Sequence, residues 1–465
     1  MSKTKDLVRI VILGGGFGGL AVARELERRL GDDDSVHITL VNRENYFLFT
    51  PMLHEVAASD LDLSTIVNPL RKMLRRTSLF TGLAESIDTV ARTVHVTHAD
   101  GAHAHDLSYD HLVVALGAVT NFYGIAGLQS RAATMKTLGD AIALRNQLIG
   151  HLEEADFECS GDIRDPLLTV LVAGGGFAGV ETVAAINDFM RAALRFYANL
   201  EPSNVRVMIV HPGAYLLPEL GETLGRYTQE KLSARGVEVV LNAKVAEVNG
   251  DRVRLTNGRM IETRNLVWTA GTSANPVIDG VSCAKERGRL VVDAALQVPG
   301  HPGLWALGDC ASIPSPDGGT YPPTAQHALR QGVQLATNIL ASMRSEPLAP
   351  FRFKTIGLLA SIGQRTGVAN IFGVNFSGFV AWWLWRTVYL AKLPRLEKKL
   401  RVALQWTLDV VFSKDIVQFA THHAPTISSA DADEPAHAGN HFQSVGTMPR
   451  GATHDALASQ TPEIG

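Results

Sequence analysis

Gly14, Gly16 and Gly19 fall in the order G-x-G-x-x-G directly after the apolar run Val8–Leu13. Gly174, Gly176 and Gly179 repeat that order after Leu168–Ala173. Between a buried strand and a helix, the first glycine makes a tight turn and the second leaves room for a pyrophosphate. The third lets strand and helix close up, so that the helix N-terminus faces the phosphates. Gly18 lies inside the first turn and is expected at the same cofactor. One such turn is weak evidence, because glycine-rich turns are common. Two of them, each in a strand–turn–helix context, indicate a chain that binds two dinucleotides and moves electrons from one to the other.

A third position joins them. Gly303–Asp309 reads as a short apolar strand ending in Gly-Asp. If the chain returns there to its first domain, Asp309 can accept a hydrogen bond from the ribityl chain of a flavin. Pro322-Pro323-Thr324 then precedes Ala325–Gly332, a helix start followed by a helical pattern.

These residues need a scaffold of buried strands. Leu20–Leu30 reads as a helix with one apolar face, and His37–Val41 as the second strand of a βαβ unit. Asn42 follows, where an acidic residue commonly binds ribose hydroxyls; its amide can still hydrogen-bond, without charge. His111–Gly117 and Leu266–Gly271 are matching buried strands ending in glycine, so the repeat extends beyond the turns. The expected fold is α/β: two Rossmann-like dinucleotide-binding domains, one inserted in the other, plus a C-terminal membrane-associating region. Residues 1–122 would begin the first dinucleotide-binding domain, 123–299 form the second, and 300–345 complete the first. A C-terminal domain over 346–420 follows, and 421–465, rich in Ser, Ala, Asp, Gly and His, is expected to be a disordered tail.

With 465 residues and 46% hydrophobic content, the chain can fill two or three cores. A net charge of −3 makes no whole-chain case for nucleic acid. Cys159, Cys283 and Cys310 form neither a C-x-x-C pair nor a zinc set, so no metal is expected. Their odd number excludes a complete disulfide framework. The first strand begins near Val8, so no cleaved leader is expected. No run of about 20 apolar residues suits a spanning helix, so any membrane association is expected to be peripheral.

Further pieces narrow the choice: Asn45–Leu53, Gly174–Glu181, Ala306–Asp309, Ala325–Gln331 and Trp382–Phe412. With these the chain resembles, over 8–420, the type II NADH dehydrogenases, single-chain flavoprotein NADH:quinone oxidoreductases. The resemblance implies non-covalent FAD on Gly14, Gly16 and Gly19, with Asn42 near the adenosine ribose and Asp309 at the ribityl chain. It implies NADH on Gly174, Gly176 and Gly179, with hydride passing to the flavin and two electrons to a membrane quinone, without proton pumping. Thr324 and Ala325 would turn helix N–H groups and the positive dipole end toward charge on the reduced flavin.

Glu181 is implied beside nicotinamide and flavin, binding NADH or relaying protons; the plainer alternative is a glutamate stabilised by its helix N-terminus. The family's A-Q-x-A-x-Q pattern is met at Ala325, Gln326 and Ala328. Arg330 stands at the second glutamine, and Gln331 is displaced by one residue, about 100° around a helix. Gln326 and Arg330 are the expected quinone contacts. His211 follows the strand Arg206–Val210, where a glutamate often contacts the NADH ribose; without that carboxylate NADPH becomes a second candidate donor.

Phe379–Trp385 is apolar and aromatic, and Lys392, Arg395, Lys398, Lys399 and Arg401 make a basic cluster before Leu400–Phe412. This suits an anchor lying on the cytoplasmic face of the cell membrane, tryptophans at the headgroups and basic residues on anionic lipid. Deleting 379–420 is then expected to release the enzyme from membranes while sparing much activity with soluble acceptors. A helix hairpin packed on the protein, or on a second copy in a homodimer, is the other reading. A sulfide:quinone reductase would need a cysteine pair beside flavin, and Cys159 has no evident partner in 350–420. A soluble NAD(P)H-dependent flavoprotein reductase and a nucleotide-sensing flavoprotein without turnover remain as alternatives.

Overall fold

Val8–Leu13 is buried throughout from Ile10 to Leu13, the pattern of a strand covered on both faces. It pairs in parallel with Val36–Asn42 on one side and His111–Val114 on the other. Leu304–Ala306 adds in parallel beside His111–Val114 and completes a seven-stranded sheet with Ser78–Asp88, Thr93–His98 and Ala104–Ser108. The chain therefore leaves this sheet, builds another, and returns. The second sheet has five parallel strands in the order Ala133–Thr134, Asn265–Trp268, Thr169–Ala173, Arg206–Val210, Val237–Val240. The computed structural model describes residues 7–98, 101 and 103–419, so the expected tail at 421–465 lies outside the described residues.

The two glycine-turn helices, Phe17–Leu30 and Phe177–Ala193, follow their strands directly. The first starts three residues before the expected Leu20, because Gly18 and Gly19 lie inside its first turn. Gly14 and Gly174 have φ of 101° and 118°, a left-handed backbone that side chains disfavour. A Cβ on Gly19 would overlap the Gly14 carbonyl, and one on Gly179 the Gly174 carbonyl. Gly18 also meets a packing demand. Its Cβ position points into the Leu307 side chain, so the glycine there serves packing.

The return helix, Ala325–Met343, crosses Phe17–Leu30 closely: a Cβ on Gly332 would lie 2.6 Å from the Gly18 carbonyl oxygen. It is followed by an antiparallel sheet of Gly357–Ser361, Gly367–Ile371 and Val374–Ser377. Two C-terminal helices follow, Gly378–Lys392 and Leu396–Leu408. Among the described residues no helix is long and apolar enough to cross a membrane.

Candidate active site

Both glycine turns are fastened in the same way. Gly14 N donates to Val41 O at 2.8 Å, and Gly15 N to Asn42 Oδ1 at 2.7 Å. In the second turn Gly174 N donates to Val210 O at 2.9 Å, and Gly175 N to His211 Nδ1 at 3.2 Å. Asn42 also donates from Nδ2 to Glu44 O at 2.7 Å, so most of its amide is committed to the turn. His211 must keep Nδ1 unprotonated to accept; burial lowers its pKa and outweighs the opposing pull of Glu219. The two residues expected at ribose thus anchor the two glycine loops. Those loops are open where the ligand needs space. A Cβ on Gly16 would meet nothing within 4 Å, and one on Gly176 would meet only the Glu219 carboxylate, at 3.7 Å.

At the return strand, Gly308 N donates to the buried Gln331 Oε1 at 3.0 Å. Gln331, displaced by one residue, therefore faces the Gly-Asp turn and not the side of Gln326. Burial raises the Asp309 pKa, opposed by Lys136 and then Arg289. Lys136, which sequence reasoning passed over, has its own pKa lowered by burial and held up by Asp309.

The start of the return helix corrects one detail. Thr324 N already donates to Pro322 O at 2.9 Å, so the Thr324 N–H does not face the cofactor. His327 N and Ala328 N bond back to Thr324 O at 3.1 and 3.0 Å, which leaves the Ala325 and Gln326 N–H groups for a ligand. The open Gly16 loop, those two N–H groups and the half-buried Asp309 suit an anionic flavin dinucleotide with a polyol chain.

The expected quinone contacts are turned toward the C-terminal sheet. Gln326 Nε2 donates to Gly357 O at 3.3 Å. Arg330 donates to Gln326 O at 3.0 Å and holds its guanidinium 4.2 Å from the centre of the Phe353 ring.

Glu181 lies one turn into the second glycine-turn helix, yet the C-terminal domain grips its carboxyl. Oε1 accepts from Ser361 N at 3.1 Å and from Trp385 Nε1 at 2.9 Å. Burial pushes its pKa up to about 8; the two hydrogen bonds oppose this and Glu55 adds to it. Burial thus outweighs whatever lowering the helix N-terminus exerts on Glu181. His54 Nδ1 lies 3.8 Å from Glu181 Oε2. Burial, helped by Lys414, lowers the His54 pKa to about 3. At neutral pH both groups are mainly uncharged, and the contact is not an ion pair.

Sequence reasoning also missed Glu55. It is buried, accepts from Trp406 Nε1 at 3.2 Å, and is pushed up to about 8 by burial and then Asp60. The available signal was Glu55 beside His54 inside an apolar setting, Met52-Leu53 before and Val56-Ala57-Ala58 after. The cysteines are all free: Cys159 exposed, Cys283 half-buried, Cys310 buried.

Two glycine turns, one on a mixed and one on a parallel sheet, closed by a returning Gly-Asp strand, define the class of pyridine nucleotide-disulphide oxidoreductases, whose family profile matches residues 8–332. The profile of the NDH2 C-terminal domain matches 356–415. Over 418 residues the chain is 32% identical to the type II NADH:quinone oxidoreductase of Mycobacterium tuberculosis, covering 86% of this chain and 87% of that one. It is 30% identical over 425 residues to a probable NADH dehydrogenase of Dictyostelium discoideum, covering 90% and 92%. The chain belongs to the type II NADH dehydrogenase family. Its fold matches NDH2 of Plasmodium falciparum, solved in complex with NADH, at a TM-score of 0.82 and 20% identity, over 88% of this chain and 99% of that one.

Proposed function

We propose that this enzyme binds FAD without a covalent link, takes hydride from NADH, with NADPH a second donor, and reduces a membrane quinone without pumping protons. In this reading 1–122 and 300–345 hold FAD, 123–299 binds NAD(P)H, and 346–420 faces quinone and membrane. The return of Leu304–Ala306 to the first sheet supports that division. Bound FAD supplies the hydride-accepting and electron-transferring chemistry.

The chain's own residues bind, orient and move a proton. Gly14, Gly16 and Gly19 seat one pyrophosphate and Gly174, Gly176 and Gly179 the other. Asp309 orients the ribityl chain, and the Ala325 and Gln326 N–H groups offset negative charge at the helix start. Gln326 holds a quinone carbonyl, with Arg330 stacked on Phe353 beside it. NADH and quinone yield NAD+ and quinol only with one further proton from solution, and Glu181 delivers it.

The observation that carries this reading is the Glu181 carboxyl: a buried acid on the NADH-side helix, hydrogen-bonded by Ser361 and Trp385 of the C-terminal domain. An exposed leucine row on the last helix supports peripheral docking to a membrane, which in this reading is the cytoplasmic face of the cell membrane.

Anaerobic stopped flow with NADH, followed by mixing with a short-chain quinone, tests it. Wild-type enzyme should bleach with NADH and recover its colour with quinone. Glu181→Gln should recover at least about tenfold more slowly, within the range of general-acid contributions. A wild-type enzyme that quinone leaves bleached sinks the function; an unimpaired Glu181→Gln removes the residue.

A further inference from the structure

Glu181 is only 8% exposed, and the proton it gives up in each turnover must be replaced. Around it the short helix Leu53–Ala57 and both C-terminal helices enclose a second acid and a set of charged groups. Glu55 Oε2 accepts from Trp406 Nε1, and Glu181 Oε1 from Trp385 Nε1. The two indole rings are neighbours, with centroids 6.3 Å apart, so the two carboxyls hang on one aromatic wall. Beyond Glu55 the chain turns: Asp60 N and Leu61 N both donate to Glu55 O, at 2.7 and 3.2 Å. Asp60 is ion-paired to Lys414 at 2.6 Å.

Three polar atoms in this region, Ser59 Oγ, Arg386 Nε and Asp409 Oδ2, are buried without a hydrogen-bond partner. Buried polar atoms are rarely left so, and such clusters are where internal water sits.

Resting on the quinone-reductase reading above, we propose that Glu55 is a relay residue that re-supplies Glu181 with the solvent proton consumed in each turnover, taken in through the Asp60, Asp409 and Lys414 cluster. The balance closes. Glu181 gives its proton to the quinone oxygen, Glu55 protonates Glu181, and a proton from water restores Glu55, one proton per NADH oxidised.

The electrostatics fit a carrier. Every facing element contributes: His54 and Asp60 from Glu55's own segment, Glu181 and Asp188 from the second glycine-turn helix. Arg386 and Tyr389 come from the first C-terminal helix, Asp409 and Lys414 from beyond the second, and Arg365 from the turn before them. Burial holds Glu55 at about 8, close to Glu181, while Asp409 is raised by burial to about 6. Matched acids exchange a proton with little loss in either direction, and a lower one at the rim passes it in from water.

Two acceptors separate a proton role from a structural one. Quinone takes electrons and protons; ferricyanide takes electrons alone. In Glu55→Gln enzyme with full flavin, NADH-driven bleaching and ferricyanide reoxidation should stay within about twofold of wild type. Quinone reoxidation should fall at least about tenfold, with an enlarged solvent deuterium isotope effect, and Glu55→Asp should restore part of it. Equal rates with quinone, or equal losses with both acceptors, overturn the relay. If Glu55→Gln does not retain flavin, Asp409→Asn takes the same comparison: a quinone-selective loss sustains the proposal and parity overturns it. Wild-type enzyme that no quinone reoxidises would instead bring down the function on which the proposal rests.

Discussion

Asn42 and His211 do the same mechanical task in the two halves: each follows the second strand and accepts the N–H of the middle of the glycine turn. Their side chains differ from the usual acid in charge, and the neutral His211 neither repels nor attracts a 2′-phosphate. His211→Glu should therefore raise the ratio of kcat/KM for NADH over NADPH by at least about tenfold, or 1.4 kcal/mol, through like-charge repulsion. An unchanged ratio in steady-state assays with both donors would show that another group, with Glu219 the nearest candidate, sets donor choice. At this scale the sequence was most legible where chemistry is local. The turn glycines and Asp309 were placed by neighbours within a few residues. For Gln331 the displacement of one residue predicted only that it turns away from the expected position; that it reaches Gly308 was decided by the fold.

The last helix, Leu396–Leu408, is built with its apolar stripe outward. Leu400 and Leu404 are 63% and 61% exposed, whereas Lys398 is 7% exposed and donates from Nζ to Ser64 O. Leu396, Leu400, Leu404 and Leu408 recur every four residues and form one face. The other face presents Val402 and Trp406 to the interior. Deleting 379–420 is therefore not the clean test that composition suggested, since it removes Trp385 and Trp406 from Glu181 and Glu55. The sharper variant is Leu400→Glu with Leu404→Glu. Each buried leucine is worth about 1.5–3 kcal/mol, so binding to vesicles with anionic lipid should weaken well over tenfold. Flavin content and ferricyanide reduction should be retained. Full cosedimentation of the double variant with vesicles would refute the docking face. Arg386, read from sequence as an interruption of the apolar run, lies 4.3 Å and 4.4 Å from the Trp382 and Trp406 ring centres and belongs to the interior.

Taken whole, the molecule stores two mainly neutral acids in its core, and stability should depend on pH accordingly. Glu55 and Glu181 are each raised from 4.5 to about 8, so the folded state binds their protons more tightly than the unfolded chain does. Their contribution is full below about 4.5 and is lost as pH rises through about 8. His54, held at about 3 against 6.5 unfolded, acts in the opposite sense and loses its contribution as pH falls below about 6.5. The melting temperature should therefore decline from pH 6.5 to 8.5. Glu55→Gln combined with Glu181→Gln should flatten that decline in a pH series of thermal melts. A slope unaltered by the double variant would assign it to other groups.

The sequence by itself determined the two strand–glycine-turn–helix units, because short-range backbone demands leave a mark on neighbouring residues, and its motifs carried the family resemblance. Which groups share the buried acid cluster was decided only by tertiary structure. Trp406 reaches Glu55 across 351 positions and Trp385 reaches Glu181 across 204. A carboxyl's burial, and hence its proton affinity, is a property of everything folded around it, and no window of sequence contains that.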